Sequence, residues 1–178
     1  INANTTSGFN VEMGGRWNHH SAYGNNFVYS INPSYLFHEQ YKVFVNVSSA
    51  YKTPTLYQLY SEYGNKKLLP EMASTAEAGI QAFSKNKKNN ARITYFNRDV
   101  KDVILFFTDP ITYNSKYINQ DKQKDHGLEL ETSFSINKKC SMKMFYNFVD
   151  GKITTLNNGN DTSYFNLIRR PKNTIGIT

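Results

Sequence analysis

The chain has 178 residues, room for one domain with a sizeable core, but aromatics make up 15%, with 13 Tyr and 12 Phe against a single Trp. So much amphipathic tyrosine suits half-buried strands better than a thick central core. The formal charge of +7 lies in short groups such as "KNKK" (85–88) and "IRRPK" (168–172). It forms no helical basic stripe and accompanies no nucleic-acid module, so no nucleic-acid partner is expected; solvated turns or lipid headgroups account for it.

Hydrophobicity runs with a period of two along most of the chain. Tyr41, Val43, Val45, Val47 and Tyr51 alternate with Lys42, Asn46 and Ser48. Ala76, Ala78, Ile80 and Ala82 alternate with Thr75, Glu77 and Gln81. Leu128, Leu130, Thr132, Phe134 and Ile136 alternate with Gly127, Glu129, Glu131, Ser133 and Ser135. Such alternation predicts strands with one apolar and one polar face. About eight are expected, near 9–17, 27–37, 41–51, 74–84, 90–107, 115–136, 139–150 and 164–178, with no helix longer than a turn or two. Cys140 continues the apolar face of Met142 and Met144 and is expected as a packed thiol; alone, it permits no internal disulfide and no cysteine metal cluster.

The connections alternate as well. "HEQ" (38–40), "KNKKN" (85–89) and "NKK" (137–139) are short and polar, whereas 18–26, 52–73, 108–114 and 151–163 read as long. In an antiparallel meander this places every long loop at one end, as in an outer-membrane barrel. Tyr41 and Tyr51 share a face at about 33 Å along the strand, or close to 25 Å once tilted, the height of an apolar band between aromatic girdles. A soluble β-sandwich or carbohydrate-binding module stays open as the alternative, its apolar face covered by a second sheet instead of lipid.

Enzyme chemistry does not assemble. His19 and His20 fall in the long 18–26 connection with no carboxylate-rich partner nearby in sequence, and adjacent residues of a strand would point apart; "NNGND" (157–161) lacks the acidic density of a calcium loop, and no phosphate loop or nucleophile motif appears. No cofactor, metal site or catalytic residue is expected. Glu77, Arg92, Arg98, Glu129, Glu131 and Arg169, with Arg170, occupy the polar faces of their strands, where charges can pair across a barrel lumen. The 52–73 connection carries Tyr57, Tyr60 and Tyr63 beside Asn65, with Gly64 expected at a positive-φ turn and Pro54 and Pro70 stiffening the ends. These side chains offer stacking and hydrogen-bonding surface to a ligand; packing the loop onto its neighbours is the equal alternative.

Motifs in order carry a resemblance. "AYKTPTLYQLY" followed by "YGNKKLLPE", "AEAGIQ" (76–81), "ITYFNRDVKDVI" (93–104), "YINQDKQKDHGLELE" (117–131) and "LIRRPKNT" (167–174) resemble successive segments of TonB-dependent outer-membrane receptors, from about residue 27 onward. Spacing and short loops resemble the cobalamin-receptor branch most; siderophore receptors share the motifs. The resemblance implies a segment, residues 1–178, from the C-terminal half of a 22-stranded barrel in the bacterial outer membrane. It implies as partners a plug domain of the same receptor, the TonB complex through the N-terminal region, outer-membrane lipid, and cobalamin, a ferric siderophore or haem as cargo. Neither a plug nor the closing aromatic strand is recognisable here, so both are expected to lie outside the segment.

Overall fold

A computed structural model describes residues 2–4, 8–137, 140–154 and 171–178. They form one antiparallel sheet whose strand order is the sequence order, β1 (Asn2–Asn4), β2 (Phe9–His20), β3 (Gly24–Phe37), β4 (Tyr41–Lys52), β5 (Glu71–Phe83), β6 (Asn90–Thr108), β7 (Ser115–Ser135), β8 (Ser141–Thr154) and β9 (Asn173–Ile177). A short helix, α1 (Leu56–Tyr60), interrupts the β4–β5 connection. The expected meander is present. Nine strands replace eight because Asn2–Asn4 adds a short first strand on β2, and the last expected strand is described only from 171. No second sheet occurs among the described residues.

Register adds the alternating residues into two unlike faces. On one, Tyr35, Val43, Ile80, Ile93, Leu130, Tyr146 and Ile175 lie side by side from β3 to β9. On the other, Asn46 lies beside Glu77, and Gln81, Arg92 and Glu131 form a row. Burial is inverted relative to a water-soluble sheet. Val43, Val45 and Val47 are exposed while Lys42, Asn46 and Ser48 between them are half-buried. Apolar side chains point away from the molecule and polar ones toward its own interior, the arrangement of a wall facing hydrocarbon. Aromatic residues bound the aliphatic band at both ends, with Trp17 and Phe27 at one and Tyr35, Phe37 and Tyr41 at the other.

The polar face is smoothed by rings laid over glycines. A Cβ on Gly79 would strike the Phe44 ring and the Ile93 carbonyl, one on Gly127 the Phe96 ring, and one on Gly176 the Phe145 ring. The absent side chain is what admits each ring.

Two expectations about connections change. Residues 18–26 are not a long loop: β2 and β3 continue through them to a three-residue turn at 21–23, and His19 Nδ1 and Asn25 Oδ1 hydrogen-bond across the ladder at 2.7 Å. The 109–114 turn is no longer than 84–89 on the opposite end. Among the described residues the asymmetry therefore rests on 53–70; the expected 151–163 connection lies largely outside them, as do Arg169, Arg170 and the 157–161 stretch. Cys140 is exposed and lies just before β8, so it is not a packed thiol.

β6 and β7 are the longest strands among the described residues. Among the described residues β5 pairs with β6 as far as Lys101 and β8 with β7 as far as Lys122, while β6 and β7 go on pairing with each other to Thr108 and Ser115. Alternation breaks just past Lys101. Asp102 has φ 55°, and the consecutive residues Val103 and Ile104 are both buried. With Leu68 and Ile153 they form the buried aliphatic core of the described residues, located at the loop end of the wall.

Candidate ligand-binding rim

The 53–70 connection is built from its caps inward. Pro54 is buried, and Thr55 then starts α1 with a capping box: its hydroxyl accepts from the Gln58 amide at 3.2 Å while the Gln58 side chain accepts from the Thr55 amide at 2.8 Å. Ser61 ends the helix by donating its amide to the Tyr57 carbonyl. Gly64 follows, but not at the positive φ expected, since Gly8 and Gly24 are the described glycines with that conformation. Its reason is space, because a Cβ there would lie 2.7 Å from the Leu59 carbonyl oxygen and 2.8 Å from that of Ser61.

From Tyr63 onward the loop is stitched to the β6–β7 hairpin. The Tyr117 amide donates to the Tyr63 carbonyl at 3.0 Å, and Asn65 Nδ2 donates to the Tyr117 carbonyl at 3.0 Å. Two residues on, Asn119 closes a ring with the backbone of Leu69, accepting its amide at 2.8 Å and donating to its carbonyl at 3.0 Å. One side chain thus substitutes for a strand partner. Asn119 also donates to the Asp102 carbonyl at 2.6 Å, tying the clasp to the point where alternation breaks. Below it, Glu71 accepts the Ile104 amide at 2.9 Å and the Lys52 ammonium at 2.7 Å. Leu68 drives into the core between these attachments.

The aromatic residues divide between packing and display. Tyr63 meets Phe106 edge-on at 5.4 Å, Phe106 meets Tyr117 at 5.2 Å, and Tyr57 meets Tyr117 at 6.2 Å. Tyr57 nevertheless stays 59% exposed and Tyr60 65% exposed, the latter with Lys66 Nζ 5.4 Å from its ring centre. Asn65 uses both side-chain ends within the loop clasp, its Oδ1 accepting the Lys67 amide at 3.0 Å. Next to Tyr63, the Glu62 carboxylate pushes the phenol pKa up. The rim therefore presents Tyr57, Tyr60, Leu56 and Lys66 on a mount held by Tyr63, Asn65 and Asn119.

On the polar face of the wall the predicted charges fall into two groups. Arg92 lies 4.5 Å over the Phe44 ring, donates to Thr94 and stands 4.0 Å from Glu131; Glu129 shares this face, and Glu77 accepts from Asn46 at 3.1 Å. Nearer the loop, Arg98 pairs with Asp125, which also accepts two bonds from Gln123 at 2.9 and 2.8 Å and is 1% exposed. Sequence reasoning missed Asp125 and Gln123. Both share the odd-numbered face of Glu129 and Glu131, which is the signal that could have found them. Gly151, opposite Asp125 in register, leaves the space its carboxylate fills. No cluster of three or more metal-ligating side chains occurs among the described residues.

Residues 2–178 match the family model described as TonB dependent receptor-like, beta-barrel, and the chain belongs to that family. Solved structures share the fold. The siderophore receptor PirA from Pseudomonas aeruginosa superposes with a TM-score of 0.69 at 24% identity, covering 85% of this chain and 32% of that one. PirA from Acinetobacter baumannii gives 0.69 at 23% identity over 99% of this chain and 29% of that one. A mutant of the ferric enterobactin receptor from Pseudomonas aeruginosa, in complex with enterobactin, gives 0.69 at 23% over 94% and 27%. The chain spans about a third or less of the length of these structures.

Proposed function

We propose, for this member of the TonB-dependent receptor family, that residues 1–178 are part of the barrel wall of an outer-membrane nutrient receptor, with the 53–70 loop on the ligand-capturing mouth and no catalytic chemistry. The observation that carries the reading is the inverted sheet: apolar side chains exposed, charged ones turned inward, and the buried core gathered under the loop. The inward polar face, with Asn46 beside Glu77 and Gln81 beside Arg92, suits a wall that a plug domain completes. Uptake would then draw on the TonB complex through the receptor's N-terminal region.

The cargo we favour is a ferric siderophore. Tyr57 and Tyr60 supply flat stacking surface, and Lys66 supplies the cation an anionic iron chelate needs. Support also comes from the siderophore receptors that share the fold. Cobalamin or a related corrinoid is the second reading, favoured by the short 21–23 and 109–114 turns and by the motif spacing. The experiment is a titration of the full-length receptor in detergent with a ferric siderophore panel, haem and cobalamin, followed by tyrosine quenching. Submicromolar binding of an iron chelate, weakened tenfold or more by Tyr57→Ala with Tyr60→Ala, is the expected result. Binding of cobalamin alone would replace the cargo, and a protein soluble without detergent would overturn the wall.

A further inference from the structure

Asn65 stands where three parts of the rim meet. Its amide donates to the Gln58 carbonyl of α1 at 2.9 Å, and its carbonyl accepts the Leu68 amide at 3.3 Å. In the side chain, Oδ1 accepts the Lys67 amide and Nδ2 donates to the Tyr117 carbonyl on β7, both at 3.0 Å. Each of its four polar atoms is engaged, and every partner is backbone. The residue type follows from those partners. A carbonyl needs a donor and an amide needs an acceptor, so one short side chain facing both must carry the two functions together, as a carboxamide does. Aspartate would keep the acceptor but turn an anion toward the Tyr117 carbonyl.

What these bonds hold is the displayed helix. Helices shorter than about 12 residues are marginal alone in water, and α1 has five, none of them buried. Its capping box secures it only to Thr55, at its own start. The direct hydrogen-bonded route from α1 to the wall runs from Gln58 to Asn65 and from Asn65 to Tyr117. Tyr57 and Tyr60, three residues apart, are neighbours on the surface of that helix.

We propose that Asn65 is a positioning residue for cargo capture: it touches no cargo itself but holds α1 so that Tyr57 and Tyr60 are preset before cargo arrives. The inference rests on the reading of the 53–70 loop as the receptor's mouth, and it adds that this mouth is a preformed surface and not a lid that closes. A surface docked only part of the time binds in proportion to its docked fraction. Loosening the mount therefore slows capture and leaves release from the docked state unaltered, whereas a lost cargo contact shows in the dissociation rate.

The test uses the full-length receptor in detergent and surface plasmon resonance. The probe is whichever of a ferric tris-catecholate, a ferric tris-hydroxamate, haem and cyanocobalamin binds the parent most tightly. Asn65→Ala should lower the association rate on the order of fivefold and leave the dissociation rate unchanged, with Asn65→Asp doing the same. Wall melting, followed by heat-modifiable gel mobility, should match the parent, because Asn65 lies outside the strands. Tyr57→Ala with Tyr60→Ala should speed dissociation, and adding Asn65→Ala to that pair should change little, since the residue acts only through what it displays. Faster dissociation in Asn65→Ala, or a loss that adds fully to that of the tyrosine pair, would make Asn65 a cargo contact and overturn the proposal. So would unchanged rates in both Asn65 variants while the tyrosine pair weakens binding, and that outcome leaves the mouth reading intact. Unchanged rates in the tyrosine pair, or a parent that binds none of the four probes, would remove the mouth reading itself and the role of Asn65 with it.

Discussion

Replacing Asn119 with Ala should release the rim without unfolding the wall. The side chain makes three hydrogen bonds, to the Leu69 amide at 2.8 Å, the Leu69 carbonyl at 3.0 Å and the Asp102 carbonyl at 2.6 Å. Each is worth about 0.5–1.5 kcal/mol net. Leu69 is 54% exposed, so water can resolvate its backbone once the partner is gone, and only the half-buried Asp102 carbonyl is harder to resolvate. The expected loss is therefore about 2 kcal/mol of docking free energy, which raises the undocked population roughly 30-fold. Hydrogen–deuterium exchange of the full-length receptor reads this directly. Amides in 58–70 should exchange faster in N119A while those of 41–52 and 90–100 keep their protection. Asn119→Asp is the sharper variant, because it retains the acceptor for the Leu69 amide but turns an anion toward two carbonyls, and it should open the loop at least as far. Unchanged exchange in 58–70 would refute the clasp. Loss of protection throughout the sheet would refute its local character.

Further outcomes can be stated for other parts of the wall. Gly79→Ala should destabilise the protein by about 1–3 kcal/mol, because the methyl meets the Phe44 ring and the Ile93 carbonyl; Gly14→Ala, with nothing within 4 Å of its Cβ, is the neutral control. Heat-modifiable gel mobility measures both, and equal melting of the two variants would sink the ring-over-glycine account. Arg98→Met leaves the buried Asp125 with only Gln123 and should cost about 3 kcal/mol; a variant as stable as the parent in urea would show the pair is dispensable. The Thr112 and Ile111 amides, both bonded to Asp109, hold its carboxyl below the ordinary value of 3.8. A depressed folded pKa contributes stability that is complete above 3.8 and lost as pH falls through the lower folded value. The amide shifts of Ile111 and Thr112 should titrate with a midpoint below 3.8, and a midpoint at or above it contradicts the turn geometry.

What could be read in advance was whatever depends on a residue and its next-but-one neighbour. The period of two marked β4, β5 and β7 and assigned Glu77, Arg92 and Glu131 to one face without any knowledge of pairing. Register is not visible that way. Arg98 was placed on the polar face, yet its partner Asp125 lies 27 residues away and is found only once β6 and β7 are aligned. Residues 18–26 looked like a loop because Asn18, His19, His20, Asn25 and Asn26 are polar. Above the apolar band a strand needs no apolar face, so polarity marked the end of the hydrophobic zone and not the end of the strand. The same limit applied to the rim. Tyr63 and Asn65 look no different in sequence from Tyr57 and Tyr60, and only the hairpin folded against them separates the mount from the display.

The strictly sequential strand order sets a history for the molecule as well as a shape. Each strand finds its partner in the chain just before it, through turns as short as three residues at 21–23 and 38–40, so the sheet can lengthen one hairpin at a time with little entropy spent on closing distant loops. The Asn119–Leu69 clasp is different, since it spans 50 residues and requires the β6–β7 hairpin to exist first. The rim can therefore dock only where the β6–β7 hairpin has formed, and without that hairpin the 53–70 connection loses the side chain that substitutes for its strand partner.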